Sequence, residues 1–95
     1  MFEIDLKPTA QQDLRRLKRF HARLISDAIE RHLRCDPDRT SKTSIKKLRG
    51  KQSTTYRLRV GEFRVFYDVG EGAVEIVRIL HKTETAEFYF PKGSQ

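Results

Sequence analysis

The residues best suited to chemistry are three closely spaced arginines, Arg57, Arg59 and Arg64, in the stretch Tyr-Arg-Leu-Arg-Val-Gly-Glu-Phe-Arg-Val-Phe-Tyr that runs from Tyr56 to Tyr67. A guanidinium stays charged at any physiological pH, and its planar fork binds a phosphate through two parallel hydrogen bonds. The stretch alternates with period two on both sides of Gly61-Glu62, the pattern of a half-buried β-hairpin. Glycine at the first central position of a two-residue loop suits a type II′ turn. That turn sets Val60 opposite Phe63, Leu58 opposite Val65 and Tyr56 opposite Tyr67, which makes one apolar face. The other face carries the arginines, with Arg59 directly opposite Arg64. Like charges placed opposite each other destabilise a sheet, so the cluster points to an anion, with phosphate the natural candidate. The alternative is a solvated face whose charge is met by Thr55, Asp68 or Glu75.

Positive charge is concentrated around this hairpin. The 95 residues carry a formal charge of +7. Residues 39–64 hold nine of the cations (Arg39, Lys42, Lys46, Lys47, Arg49, Lys51, Arg57, Arg59, Arg64) against one acid, Glu62. Such a balance favours an acidic partner, either nucleic acid or an acidic protein segment. A single cysteine, Cys35, allows no internal disulfide and no cysteine-rich metal site. Met1 is followed by an alternating run, not by the apolar core of a signal peptide, and no stretch approaches a membrane span. The chain is therefore expected to be one cytoplasmic domain, residues 1–95, with no cofactor, no metal and no membrane partner.

The elements that must position the hairpin follow from periodicity. Phe2, Ile4 and Leu6 alternate with polar residues as a short strand. Thr9, with Gln12 three residues on, reads as the capping box of a helix whose stripe is Ala10, Leu14 and Leu17. A second helix is expected after a turn near Phe20-His21, with Leu24, Ile25, Ala28, Ile29 and Leu33 buried and Pro37 beyond its end. A single bent helix is the alternative. Asp36 to Lys46 is polar and reads as a loop. After the hairpin and a second reversal at Gly70–Gly72, Val74 to Leu80 forms a central strand interrupted by Arg78, for which an ion pair with Glu75 or Asp68 is expected. Thr83 is the expected cap of a short C-terminal helix. The fold class is α+β: an N-terminal strand, an α-helical hairpin, a three-stranded antiparallel meander and a short C-terminal helix, with the helices on one face of the sheet and the arginine face partly open.

This order resembles the RelE/ParE superfamily of bacterial type II toxins, most closely in Lys47-Leu48-Arg49-Gly50, in Tyr56 to Tyr67, and in His81-Lys82 followed by Glu87-Phe88-Tyr89. The resemblance implies a cognate antitoxin partner and one of two activities. The RelE-like branch is a ribosome-dependent endoribonuclease that cuts messenger RNA in the A site; the ParE-like branch poisons DNA gyrase. The RelE-like pattern puts its first-strand basic residues at Arg57 and Arg59, its second-strand arginine at Arg64 and its late aromatic at Tyr89, with Lys47, Arg49, Lys51 and Lys82 available to bind phosphate. Two departures stand out: arginine replaces lysine on the first strand, and Thr83 occupies the place of a late arginine. Arginine is a poor base, so proton transfer falls to His81, Lys82, Lys51 or Tyr89, or to positioning by the ribosome. His81 is the one of these whose ordinary titration lies near neutrality. A plain basic nucleic-acid-binding module is the non-catalytic alternative.

Overall fold

The structure, a computed structural model, describes residues 1–40, 44–48 and 54–86. Its elements in chain order are β1 (Glu3–Leu6), α1 (Pro8–Arg16), α2 (Arg19–Leu33), β2 (Ile45–Lys47), β3 (Tyr56–Val60), β4 (Phe63–Val69), β5 (Ala73–His81) and a 3-10 turn (Lys82–Glu84). The five strands form one sheet in the order β1-β5-β4-β3-β2. β1 runs parallel to β5, and the other pairs are antiparallel.

The hairpin has the expected register: Tyr56 lies opposite Tyr67, Leu58 opposite Val65, Arg59 opposite Arg64 and Val60 opposite Phe63. Gly61 has φ +57°, and no other described residue of the turn has positive φ. That combination is the type II′ turn, since type I′ needs positive φ at both central positions. Tyr56 and Tyr67 stack with centroids 5.6 Å apart and planes 18° from parallel. On the same face Leu58, Val65, Tyr67, Val74 and Ile76 are fully buried against Ile25, Ala28, Ile29 and Leu33 of α2 and Ala10 of α1. Burial of such side chains stabilises by about 1.5–3 kcal/mol each, which fixes the helices on this side and leaves the arginines on the other.

Four local expectations need correction. α1 begins at Pro8, with Lys7 at its cap position and no side-chain cap. Proline at the first helical position carries the preset φ and has no N–H to satisfy, so Thr9 is released to donate to Val77 O at 2.6 Å. The helices part at Leu17 and Lys18, both extended, a little before Phe20-His21. Ile45–Lys47, expected as the end of a loop, is a strand on the outer edge of β3, so the meander has four strands. The turn after β5 is capped by His81 instead of Thr83: His81 Nδ1 accepts from Thr83 N at 3.2 Å, and Glu84 Oε1 accepts from His81 N at 3.1 Å. The C-terminal helix expected beyond it falls largely outside the described residues.

β5 contains a bulge that decides which side chains reach the site. Phe66 pairs with Arg78, while its neighbour Tyr67 pairs with Ile76. The extra residue, Val77, flips the alternation. Val74 and Ile76 face the helices, and so do Ile79 and His81, whereas Leu80 lies opposite Arg64. α1 lies along β5 beyond the end of β1. There the buried Asp13 accepts from Ile79 N at 2.8 Å and from Arg78 Nε and Nη2 at 2.8 and 3.2 Å. Arg78 is structural, as expected, but its partner is Asp13; Glu75 meets Lys7 instead, at 3.4 Å.

Candidate functional site

The outer face of the sheet is built by β2, β3 and β4. In register, Lys46 of β2 lies beside Arg57 of β3, Arg57 beside Phe66 of β4, and Arg59 beside Arg64. Four cations therefore share one face. Lys46 is the member that sequence reading missed, because its place depends on β2. Its neighbour Lys47 pairs with Tyr56 and so belongs, by alternation, to the helix side of the sheet edge. Arg49, Lys51 and Tyr89 lie outside the described residues.

This face is not bare. Phe66 is fully buried on it, and Leu80 is 8% exposed. The stems of the long cationic side chains suit such a strip, because they cover apolar surface and keep their charged heads at its rim. Arg59 is exposed, whereas Arg57 and Arg64 are half-buried. Arg64 Nη1 donates to the carbonyls of Gly61 at 3.0 Å and Phe63 at 2.9 Å, so the turn itself holds the guanidinium in place. Of the acids considered as neutralisers, Asp68 accepts from Thr55 N at 2.7 Å and Glu75 meets Lys7. Glu62, the single acid of the basic stretch, pairs with Lys82 at 2.9 Å. The hydrogen bond from Lys82 holds the Glu62 carboxyl below its ordinary range. Lys82 is thereby drawn to the hairpin turn, where its N–H also donates to Glu62 O at 2.7 Å.

The structure does not bring His81 to the arginines. Its ring stands edge-on to Phe63, with centroids 5.5 Å apart, on the helix side of the sheet. The cause is the bulge at Val77. Among the described residues, the arginine face carries no side chain that ordinarily titrates near neutrality. Its arrangement supplies fixed positive charge beside an apolar strip, a combination chemically suited to a phosphate and to charge developing on one.

Residues 4–86 match the sequence model of a family described as the ParE toxin of the type II toxin–antitoxin system parDE. The chain belongs to this family. The match contains Lys46, Arg57, Arg59 and Arg64 and ends before Tyr89. No curated protein matches the sequence. Among solved structures, this family member resembles the archaeal RelE–RelB complex of Pyrococcus horikoshii, at 22% identity and TM-score 0.70, over 87% of this chain and 97% of that one. It is also similar to the RelB–RelE antitoxin–toxin complex of Methanococcus jannaschii, at 26% identity and TM-score 0.66, over 92% and 99%. A third likeness is to the toxin–antitoxin complex RelBE2 of Mycobacterium tuberculosis, at 23% identity and TM-score 0.66, over 84% and 96%. The ParE-family toxin thus shares the α+β fold of RelE-like chains, and fold alone does not select an activity.

Proposed function

We propose that this toxin is a ribosome-dependent endoribonuclease that binds messenger RNA in the A site through Arg57, Arg59, Arg64 and Lys46. The observation that carries this reading is the like-charge pair Arg59–Arg64 held opposite each other on one sheet face, with Arg57 and Lys46 paired beside it. In the reaction the 2′-oxygen attacks phosphorus, the bond to the 5′-oxygen breaks, the 2′-hydroxyl gives up its proton and the leaving oxygen gains one. The three guanidiniums neutralise charge that builds on the non-bridging oxygens, an effect worth several kcal/mol in a water-poor site. None of them is a base at neutral pH. Proton transfer then rests on water, on the ribosome, or on Lys51 or Tyr89. A cognate antitoxin restrains the toxin in the cytoplasm. Among the described residues, no helix is long and apolar enough to cross a membrane.

A second reading, gyrase inhibition, is favoured by two observations: His81 is turned away from the arginines, and the matching family is the ParE toxin. One experiment separates the two. The toxin is induced, 5′ ends are mapped on messenger RNA, and gyrase supercoiling is assayed with purified protein. Codon-phased cuts with normal supercoiling support the nuclease. Intact messages with lost supercoiling support the inhibitor.

A further inference from the structure

The exit of β5 is tied to the tip of the hairpin. Lys82 N donates to Glu62 O at 2.7 Å, which carries the β4–β5 ladder one pair past Phe63 and His81. By alternation Glu62 and Lys82 continue the row of Arg64 and Leu80 on the outer face. Two more bonds fix Lys82 there: its carbonyl accepts from the hydroxyl of the buried Thr85 at 3.0 Å, and its Nζ meets Glu62 Oε1 at 2.9 Å. The His81–Glu84 capping box holds the turn that carries it. Glu62 is the one acid among residues 39–64, and it stands two residues from Arg64. The hydrogen bond from Lys82 is the main reason its carboxyl is held below the ordinary range, and the Arg64 charge acts in the same direction. Two cations compete for one carboxylate, and the backbone bond between residues 62 and 82 favours Lys82.

We propose that Lys82 is a positioning residue that holds the Glu62 carboxylate off Arg64 and so keeps the charge of the arginine face available to the phosphates of the target RNA. The inference rests on the reading that this face binds messenger RNA. The side chains of Lys82 and Glu62 are 50% and 61% exposed, and an exposed ion pair adds little to stability. The pair is therefore better placed to set where charge stands than to hold the fold. The other role open to Lys82 is a direct bond to phosphate. An RNA that drew Lys82 away would release Glu62 beside Arg64, where carboxylate and phosphate compete for one guanidinium. Lys82 serves the face better as the partner of Glu62 than as a further phosphate ligand.

The test is the salt dependence of affinity for a labelled single-stranded RNA oligonucleotide, measured with the full chain by filter binding, with circular dichroism and melting to confirm each fold. Lys82→Met keeps the stem and removes the charge. If the released Glu62 neutralises one cation, the log–log salt slope becomes shallower by about 0.9, and affinity at about 0.15 M salt falls about fivefold. Lys82→Met/Glu62→Gln should return slope and affinity to within about twofold of wild type. Lys82→Met/Asp27→Asn has the same formal charge but removes an exposed acid of α2, on the helix side of the sheet, and should stay as weak as Lys82→Met. A Lys82→Met/Glu62→Gln variant as weak as Lys82→Met would assign Lys82 to phosphate and overturn the proposal. Equal rescue by Asp27→Asn, or Lys82→Met binding like wild type, would overturn it too. Arg59→Ala/Arg64→Ala is the reference. Wild-type RNA affinity in that variant would overturn the reading of the face and the proposal with it, whereas weakened binding there without rescue by Glu62→Gln would overturn the proposal alone.

Discussion

Replacing Asp13 by alanine should cost more stability than removing any other polar side chain of α1. The Asp13 side chain is 8% exposed and accepts three hydrogen bonds, two from Arg78 and one from Ile79 N. Its loss orphans a buried backbone N–H, at about 1–3 kcal/mol. Arg78 also loses its counter-charge. A fully buried pair would give about 3–5 kcal/mol for that, but the Arg78 side chain is 34% exposed and can rehydrate, so about 1 kcal/mol is the better figure. The sum is about 2–4 kcal/mol. With a urea slope of about 1–1.5 kcal/mol/M for a domain of this size, the unfolding midpoint should fall by about 2 M. Asp13→Asn keeps an acceptor for Ile79 N and should lose roughly half as much. Arg78→Met keeps the Ile79 bond, and the double variant Asp13→Ala/Arg78→Met should be less destabilised than the sum of the singles by about 1 kcal/mol. Urea denaturation followed by circular dichroism reads all four. A midpoint for Asp13→Ala within about 0.3 M of wild type, at unchanged slope, would refute the reasoning, because the strut between α1 and β5 would then carry no weight.

Two further outcomes follow from the same geometry. Burial pushes the Tyr67 phenol up from its ordinary value of 10.0, and its hydroxyl donates to Pro37 O at 2.6 Å. The sign is that of a raised folded-state group: the contribution is whole below the unfolded value of 10.0 and is lost as pH rises from there toward the folded value, since only the unfolded chain then releases the proton. Melting against pH should therefore drop above about pH 10, and Tyr67→Phe should flatten that drop while costing about 1 kcal/mol at neutral pH. Lys46→Glu places an acid beside Arg57 and should sharply reduce both toxicity and salt-dependent RNA binding, whereas Lys47→Glu, one residue on and facing the other side, should do so much less; equal effects in a growth assay and a filter-binding assay would contradict the register of β2.

Much of the fold was legible because it is written locally. The hairpin shows its period in ten alternating positions around Gly61-Glu62, and the cross-strand register follows from the turn. The buried stripe of α2 shows its period in Ile25, Ala28, Ile29 and Leu33. What was not legible depends on contacts distant in sequence. β2 has three residues, two of them lysine, and is a strand only because β3 offers it an edge. The bulge at Val77 has no local signature, yet it decides that His81 packs on Phe63 and that Leu80, not His81, lies beside Arg64. The partner of Arg78 stands 65 residues away. Thr9 and Gln12 show the spacing of a capping box, but the helix starts one residue earlier, on Pro8, whose preset φ and missing N–H suit the first helical position. For the site, the arginine cluster was legible from alternation alone, and the parity of Lys46, Lys47 and His81 was not.

The central claim is that the arginine face acts on messenger RNA at the ribosome. Its most direct measurement is the map of messenger RNA 5′ ends after induction of the wild-type toxin and of a folded Arg59→Ala/Arg64→Ala variant, with gyrase supercoiling assayed alongside. The expected result is codon-phased cleavage in the wild type, its loss together with growth arrest in the variant, and normal supercoiling in both. Undiminished cleavage by the folded variant, or intact messages with lost supercoiling in the wild type, would contradict it.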